Sequence, residues 1–185
     1  MNFLKIFIII FISLTTSIKA DSNKDLLKQL TEGGKLIFIR HAYAPGGGDP
    51  DNFNLNDCST QRNLNNEGRE QAKYIGEFFK KNKIEIDKVL SSEWCRCKET
   101  AKIAFKNFST NNFLNSFYSS KFAKNKDKQI DALNNYLLKF KSAKNLIFVT
   151  HYVLISEVLN YGPSSGEIVV SDKNFNMIGS VEINY

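Results

Sequence analysis

The sequence predicts an α/β fold, a three-layer sandwich in which a mostly parallel central sheet carries helices on both faces. Three observations lead there. Short apolar runs bounded by turn residues alternate along the chain with longer stretches of helical period. Two of the runs, Leu36-Ile37-Phe38-Ile39 and Leu146-Ile147-Phe148-Val149, are apolar throughout, as strands buried on both faces are. Each of them also stops abruptly at a histidine, the first at Arg40-His41 and the second at Thr150-His151, and these are the chain's only two histidines.

In chain order, residues 1–20 read as a secretory signal peptide. Lys5 gives a positive start, Ile6 to Leu14 is apolar but too short to span a bilayer, and Ala20 offers a small residue for cleavage. Residues 21–185 then suit a single domain with one core. After the strand ending at Arg40, residues 42–63 hold Pro45, Gly46-Gly47-Gly48 and Asp49-Pro50 and read as a long loop, of the kind that forms lids and binding surfaces. Asn65 is expected to cap a helix over Asn66–Lys83, with Ala72, Ile75, Phe78 and Phe79 as its apolar stripe. A strand over Ile86–Ser91 and a helix over Glu93–Phe108 follow. The segment through Phe122 has no clear period. A helix over Asp127–Ser142 leads into the strand that ends at His151, a short helix over Val153–Tyr161 comes next, and Gly162-Pro163-Ser164-Ser165-Gly166 ends it. Glu167–Ser171 and Met177–Ile183 are the last strands.

Composition narrows the partners. The formal charge of +6 falls to +4 without Lys5 and Lys19, and the remaining lysines are scattered, without the aromatic interleaving of a nucleic-acid groove. No nucleic-acid partner is expected, and no stable membrane span once the signal is cleaved. The three cysteines, Cys58, Cys95 and Cys97, match no common metal spacing, so no metal site is expected.

The candidate site grows from the strand ends. In open α/β sheets ligands bind beyond the carboxyl edge of the strands, where Arg40, His41 and His151 all fall. Arg96 joins them from the first turn of the helix after Ser91, where the helix dipole favours an anion. Two guanidiniums and two imidazoles around a small space suit a phosphoryl group: fork-shaped donors for its oxygens and a nitrogen nucleophile for its phosphorus.

Four blocks in order then resemble the histidine phosphatase superfamily, with its phosphoglycerate-mutase-like fold. Arg40-His41-Ala42 is similar to the family's Arg-His-Gly, and Leu64-Asn65-Asn66-Glu67-Gly68-Arg69-Glu70-Gln71-Ala72 to its first helix start. The block from Ser91 through Arg96 to Thr100-Ala101 follows, and then Val149-Thr150-His151-Tyr152. Ala42 and Tyr152 depart from the family's glycines and either narrow the pocket or shift the backbone. The resemblance implies an exported phosphomonoesterase that needs no metal or cofactor and acts, in the periplasm or as a secreted protein, on a small phosphorylated substrate. His41 would be the nucleophile, kept neutral by the arginines, while Arg40, Arg96 and His151 neutralise the phosphoryl oxygens. Arg62, in the long loop, is a further substrate-binding candidate. The acidic residue that family members often carry after the second arginine is missing from Phe113–Tyr118, which leaves Glu93 and Asp57 as candidate acids, with Asp57 also a substrate-binding candidate. Two alternatives stand beside the phosphatase: a catalytically weak phosphate-ligand binding protein, and a phosphoglycerate mutase.

The cysteines permit a choice. On the helix after Ser91, Cys97 aligns with Ala101, Ala104 and Phe108 as a buried thiol, and Cys95 lies about 200° around from it. A Cys58–Cys95 disulfide tying the long loop over the pocket is therefore expected, with Cys58–Cys97 as the alternative.

Overall fold

The structure, a computed structural model, describes residues 24–183; the expected signal segment lies outside them. The described chain opens with a helix, α1, over residues 24–32, which the sequence reading did not assign. It continues through β1 (Leu36–Arg40), α2 (Asn66–Lys81), β2 (Ile86–Ser91), α3 (Cys95–Phe105), β3 (Ser109–Thr110) and α4 (Ser120–Ala123). The remaining elements are α5 (Lys126–Lys139), β4 (Asn145–Thr150), α6 (Tyr152–Leu159), β5 (Ile168–Ser171) and β6 (Met177–Val181). The strands form one sheet in the order β3-β2-β4-β1-β5-β6. β1 to β4 are mutually parallel, and β5 runs antiparallel to both of its neighbours.

Side-chain alternation divides the core into two layers. Ile37, Ile39, Ile147, Val149, Ile168 and Val170 face α1, α2 and α3. Leu36, Phe38, Leu146, Phe148 and Val169 face the other way, onto α5 and α6. This double burial is why the two central runs carry no polar residue. α1 contributes Leu26 and Leu30, a single i, i+4 pair in a stretch too short for its period to stand out.

Helix boundaries follow local chemistry. Asn65 caps α2 as expected, its side chain accepting from the Gly68 amide at 2.9 Å. α3 is shorter at both ends than expected. Trp94 serves as its N-cap, and Lys106, at φ 65°, stops it before Phe108. The segment without clear period holds β3, a 3₁₀ turn over Asn112–Leu114 and α4, each too short to show periodicity.

Two motif positions prove to be packing devices that brace the site. A Cβ on Gly68 would stand 1.9 Å from the Tyr43 carbonyl oxygen, so only glycine lets α2 approach the chain leaving β1. Gln71, one turn on, accepts from the Tyr43 amide at 2.9 Å and donates to the Ser165 carbonyl at 2.7 Å. It thereby joins the loop after β1 to the turn before β5.

Cys58 and Cys95 form a disulfide, and Cys97 is a buried free thiol. The bond joins the long loop to the start of α3, where both cysteines line a surface recess with Asn63, Arg69 and Lys98, and neither lines the main cavity. It anchors the loop's outer flank and does not roof the pocket. Closing a loop of sequence separation 37 removes unfolded-state entropy worth about 3 to 4 kcal/mol. Urea unfolding of Cys58→Ser against wild type is expected to show that loss; equal midpoints and slopes would show that the loop is held by its other contacts alone.

Candidate active site

The parallel pairing of β1 with β4 places Arg40 opposite Thr150, and the His41 amide extends that ladder by one bond to the Thr150 carbonyl at 2.9 Å. His41 and His151 therefore emerge side by side at the carboxyl edge of the sheet, with ring centroids 5.6 Å apart. Both are almost fully buried, as is Arg96.

The hydrogen bonds fix the tautomers. His41 Nδ1 lies 2.8 Å from the Ala42 carbonyl oxygen, which can only accept, so Nδ1 carries the proton and Nε2 the lone pair. That lone pair faces the cavity, where Arg96 Nε donates to it at 3.2 Å. His151 is set the other way: Arg96 Nη2 donates to Nδ1 at 3.5 Å, and Nε2 donates to Ser92 Oγ at 2.9 Å. Ser92 Oγ in turn donates to Asn115 Oδ1 at 3.1 Å. Burial, and after it the Arg96 charge, hold the pKa of His41 well below the ordinary histidine value, although the Ala42 carbonyl works against them. Burial, then Arg96 and then His41, do the same for His151.

Arg40 and Arg62 complete the basic group, and both line the cavity with His41, Arg96 and His151. Arg40 donates through Nη1 to the Pro163 carbonyl at 2.9 Å and lies over the Tyr152 ring. Arg62 donates through Nη1 to the Ala44 carbonyl. The Nε groups of both arginines are buried without a hydrogen-bond partner among the described residues, an arrangement that costs stability. The cavity is about 650 Å³, larger than a phosphoryl group needs.

The structure thus brings together Arg40, His41, Arg62, Arg96 and His151. It leaves out the two candidate acids. Asp57 is exposed and spends its carboxylate on the Ser59 amide and hydroxyl, capping a 3₁₀ turn at Cys58–Thr60. Glu93 does not line the cavity; its Oε2 accepts from Asn115 Nδ2 at 2.7 Å. The residue that the sequence reading missed is Asp49. Its carboxylate meets Arg96 in a two-point pair, Nη1 to Oδ1 at 2.7 Å and Nη2 to Oδ2 at 3.2 Å. Burial alone pushes the Asp49 carboxyl up, but the Arg96 hydrogen bonds and charge, with the Arg62 amide and the Trp94 indole, bring it below its ordinary value. The signal for it was an aspartate directly after three glycines in the loop leaving the first histidine. Cys97, beside His151 Nε2 at 3.5 Å, is pushed up to about 12 by burial, which keeps it an inert thiol at neutral pH.

Neutral buried histidines tie stability to pH. The unfolded chain takes up these protons near the ordinary pKa of about 6.5 and the native chain does not. Stability is therefore complete above that pH and falls below it, by up to about 1.4 kcal/mol per pH unit for each histidine. Urea unfolding between pH 7.5 and 5 is expected to show this decline, shallower by about half in His41→Asn. A flat profile across that window would mean that the imidazoles are protonated in the native state.

Residues 36–114 match the histidine phosphatase superfamily (branch 1). Over 82 residues the chain is 35% identical to the mitochondrial serine/threonine-protein phosphatase Pgam5 of Drosophila virilis, a match covering 44% of this chain. It spans about a quarter of that relative's length (26%). The fold is similar to phosphoglycerate mutase from Thermus thermophilus, at 15% identity and TM-score 0.56, over 81% of this chain and 99% of that one. It is similar as well to the protein histidine phosphatase SixA complexed with tungstate, at 16% identity and TM-score 0.50, over 82% and 94%. The segment that matches the family carries β1 with Arg40 and His41 and α3 with Arg96, and the mixed sheet is similar to that of these structures.

Proposed function

We propose that this chain is a phosphomonoesterase that works through a phosphohistidine at His41, without a metal, on a small phosphorylated substrate outside the cytoplasm. The observation that carries the reading is the neutral His41 Nε2 lone pair in a cavity lined by the guanidinium groups of Arg40, Arg62 and Arg96. Arg40, Arg62 and Arg96 supply positive charge in a protein-enclosed space, where it stabilises phosphoryl oxygens far more than in water. His151 donates to one of those oxygens once it gains a proton at Nδ1, a change that an arriving dianion favours by offsetting the arginine charges. The chemistry divides into two displacements at phosphorus. Nε2 first replaces the ester oxygen, and water then replaces Nε2. Phosphatase activity in the sequence relative, and the tungstate oxyanion held by the SixA structure, fit this assignment. Export is supported by the signal-like residues 1–20 and by the disulfide, a bond that persists in oxidising compartments.

A second reading, a phosphate-ligand binding protein with little turnover, draws on one observation: Arg96 Nε covers the very lone pair that must attack. Hydrolysis of p-nitrophenyl phosphate separates the two. The purified protein is expected to release phosphate steadily in the presence of EDTA. His41→Ala should abolish turnover while still binding orthophosphate through its arginines. Equal rates in wild type and His41→Ala, or loss of activity in EDTA, would overturn the proposal.

A further inference from the structure

Arg96 has no free donor in the unliganded chain. Of its five N–H groups, Nε serves His41 Nε2, the two on Nη1 serve Asp49 Oδ1 and the Arg62 carbonyl, and the two on Nη2 serve Asp49 Oδ2 and His151 Nδ1. Asp49 is equally well held. Oδ1 accepts from Arg96 Nη1 and, at 3.0 Å, from the Arg62 amide, while Oδ2 accepts from Arg96 Nη2 and, at 3.1 Å, from Trp94 Nε1. Four N–H donors around two anionic oxygens form an anion site, and the chain fills it with its own carboxylate. A phosphoryl group that takes the Arg96 fork must displace Asp49.

The segment that carries Asp49 is built to yield. Gly46 and Gly48 stand at φ +94° and +108°, and a Cβ on Gly47 or Gly48 would meet nothing within 4 Å. The stretch is therefore unpacked on that side. Glu93 and Asp57 are committed elsewhere, so among the described carboxylates only Asp49 and the exposed Asp51 line the cavity. In-line attack from His41 puts the leaving oxygen on the side of phosphorus away from Nε2, and Asp49 lines the same cavity.

We propose that Asp49 is the proton donor of the reaction, seated on Arg96 until the substrate phosphoryl group takes that fork and frees it toward the leaving oxygen. The proposal rests on the phosphatase reading above. In the first displacement the His41 Nε2 lone pair forms the N–P bond as the P–O bond to the leaving group breaks. The Asp49 carboxyl proton passes to the departing oxygen, which leaves as an alcohol. In the second, the Asp49 carboxylate takes a proton from water as the water oxygen bonds to phosphorus. The N–P electron pair returns to Nε2, orthophosphate departs, and Asp49 holds its proton again. Separated from Arg96 and set against a phosphate dianion, the carboxyl loses the partners that favoured its ionised form; it takes up a proton from solvent on substrate binding and gives it back when it returns to Arg96.

Two esters and one anion test this. p-Nitrophenolate leaves without protonation, whereas the alkoxide of β-glycerol phosphate does not. In Asp49→Asn, kcat/KM for β-glycerol phosphate is expected to fall about 100-fold or more, within the usual range for a lost general acid. For p-nitrophenyl phosphate it should hold or rise. Orthophosphate, followed by calorimetry, should bind Asp49→Asn more tightly than wild type, because the internal competitor has lost its charge. A parallel fall for both esters would reduce Asp49 to a structural ion pair and overturn the proposal. So would weaker orthophosphate binding in the variant, or a leaving-group-selective loss in Glu93→Gln and none in Asp49→Asn. If the wild type hydrolysed neither ester, the phosphatase reading would fall and the acid role with it, and the orthophosphate isotherms would still decide whether Asp49 occupies the anion site.

Discussion

The parallel pairing of β1 with β4 is the constraint on which everything else depends. It sets Arg40 against Thr150 in register, so that the residue after each strand is a histidine and the two imidazoles meet at one edge. A slip by one residue would turn Ile37 and Ile39 to the α5 and α6 layer and carry His41 away from His151. Register in turn is enforced by volume. Phe38 and Phe148 pack with ring centroids 5.0 Å apart on one face, while Ile39 and Val149 fill the other. At the opposite end of β4, the buried Asn145 accepts from the Lys35 amide and donates to the Leu30 and Glu85 carbonyls. These bonds tie three segments to the foot of the sheet and fix the strand lengthwise.

Around that edge, several residues that look chemical in the sequence serve to position others. Thr100 accepts from the Ala42 amide at 3.0 Å and donates to the Arg96 carbonyl at 2.7 Å, coupling the chain after His41 to the helix that carries Arg96. Gly166 fits where a Cβ would meet the Gln71 amide, and its own amide reaches the carbonyls of Arg40 and His41. The backbone around His41 is thus held from α2, α3 and the turn before β5 at once. Bracing of this kind fixes the position of a side chain more precisely than a loop alone can.

What was legible in the sequence divides along physical lines. The uninterrupted apolar runs announced buried strands, their ends announced an edge, and the helix after Ser91 placed Arg96 in a first turn, because each of these signals is local and periodic. Asp57 and Glu93 were plausible acids on proximity in sequence alone; Asp57 is committed to its own turn, and Glu93 to Asn115 outside the cavity lining. Asp49 stayed hidden because its role comes from a contact across 47 residues, through a glycine-rich segment whose path no periodicity predicts. The disulfide was legible because helical spacing gave Cys95 and Cys97 different faces; which side of the loop it would hold was not. The departures at Ala42 and Tyr152 are also explained. Neither residue has a positive φ, so neither position requires glycine. Ala42 is buried away from the cavity, and Tyr152 stands half-exposed at its mouth beneath the Arg40 guanidinium.

The charge balance of the pocket explains why an anion belongs there. Three guanidiniums, Arg40, Arg62 and Arg96, line one cavity, and burial lowers the pKa of Arg40 and Arg62. Both imidazoles resist protonation for the same reason, so they contribute no further positive charge in the resting state. Asp49 offsets Arg96, while Arg40 and Arg62 have no carboxylate partner among the described residues. Concentrating like charge in this way is unfavourable for folding unless a counter-ion completes it. Under the phosphatase reading a phosphoryl dianion supplies that counter-charge, and Asp49, with a single negative charge, supplies only part of it.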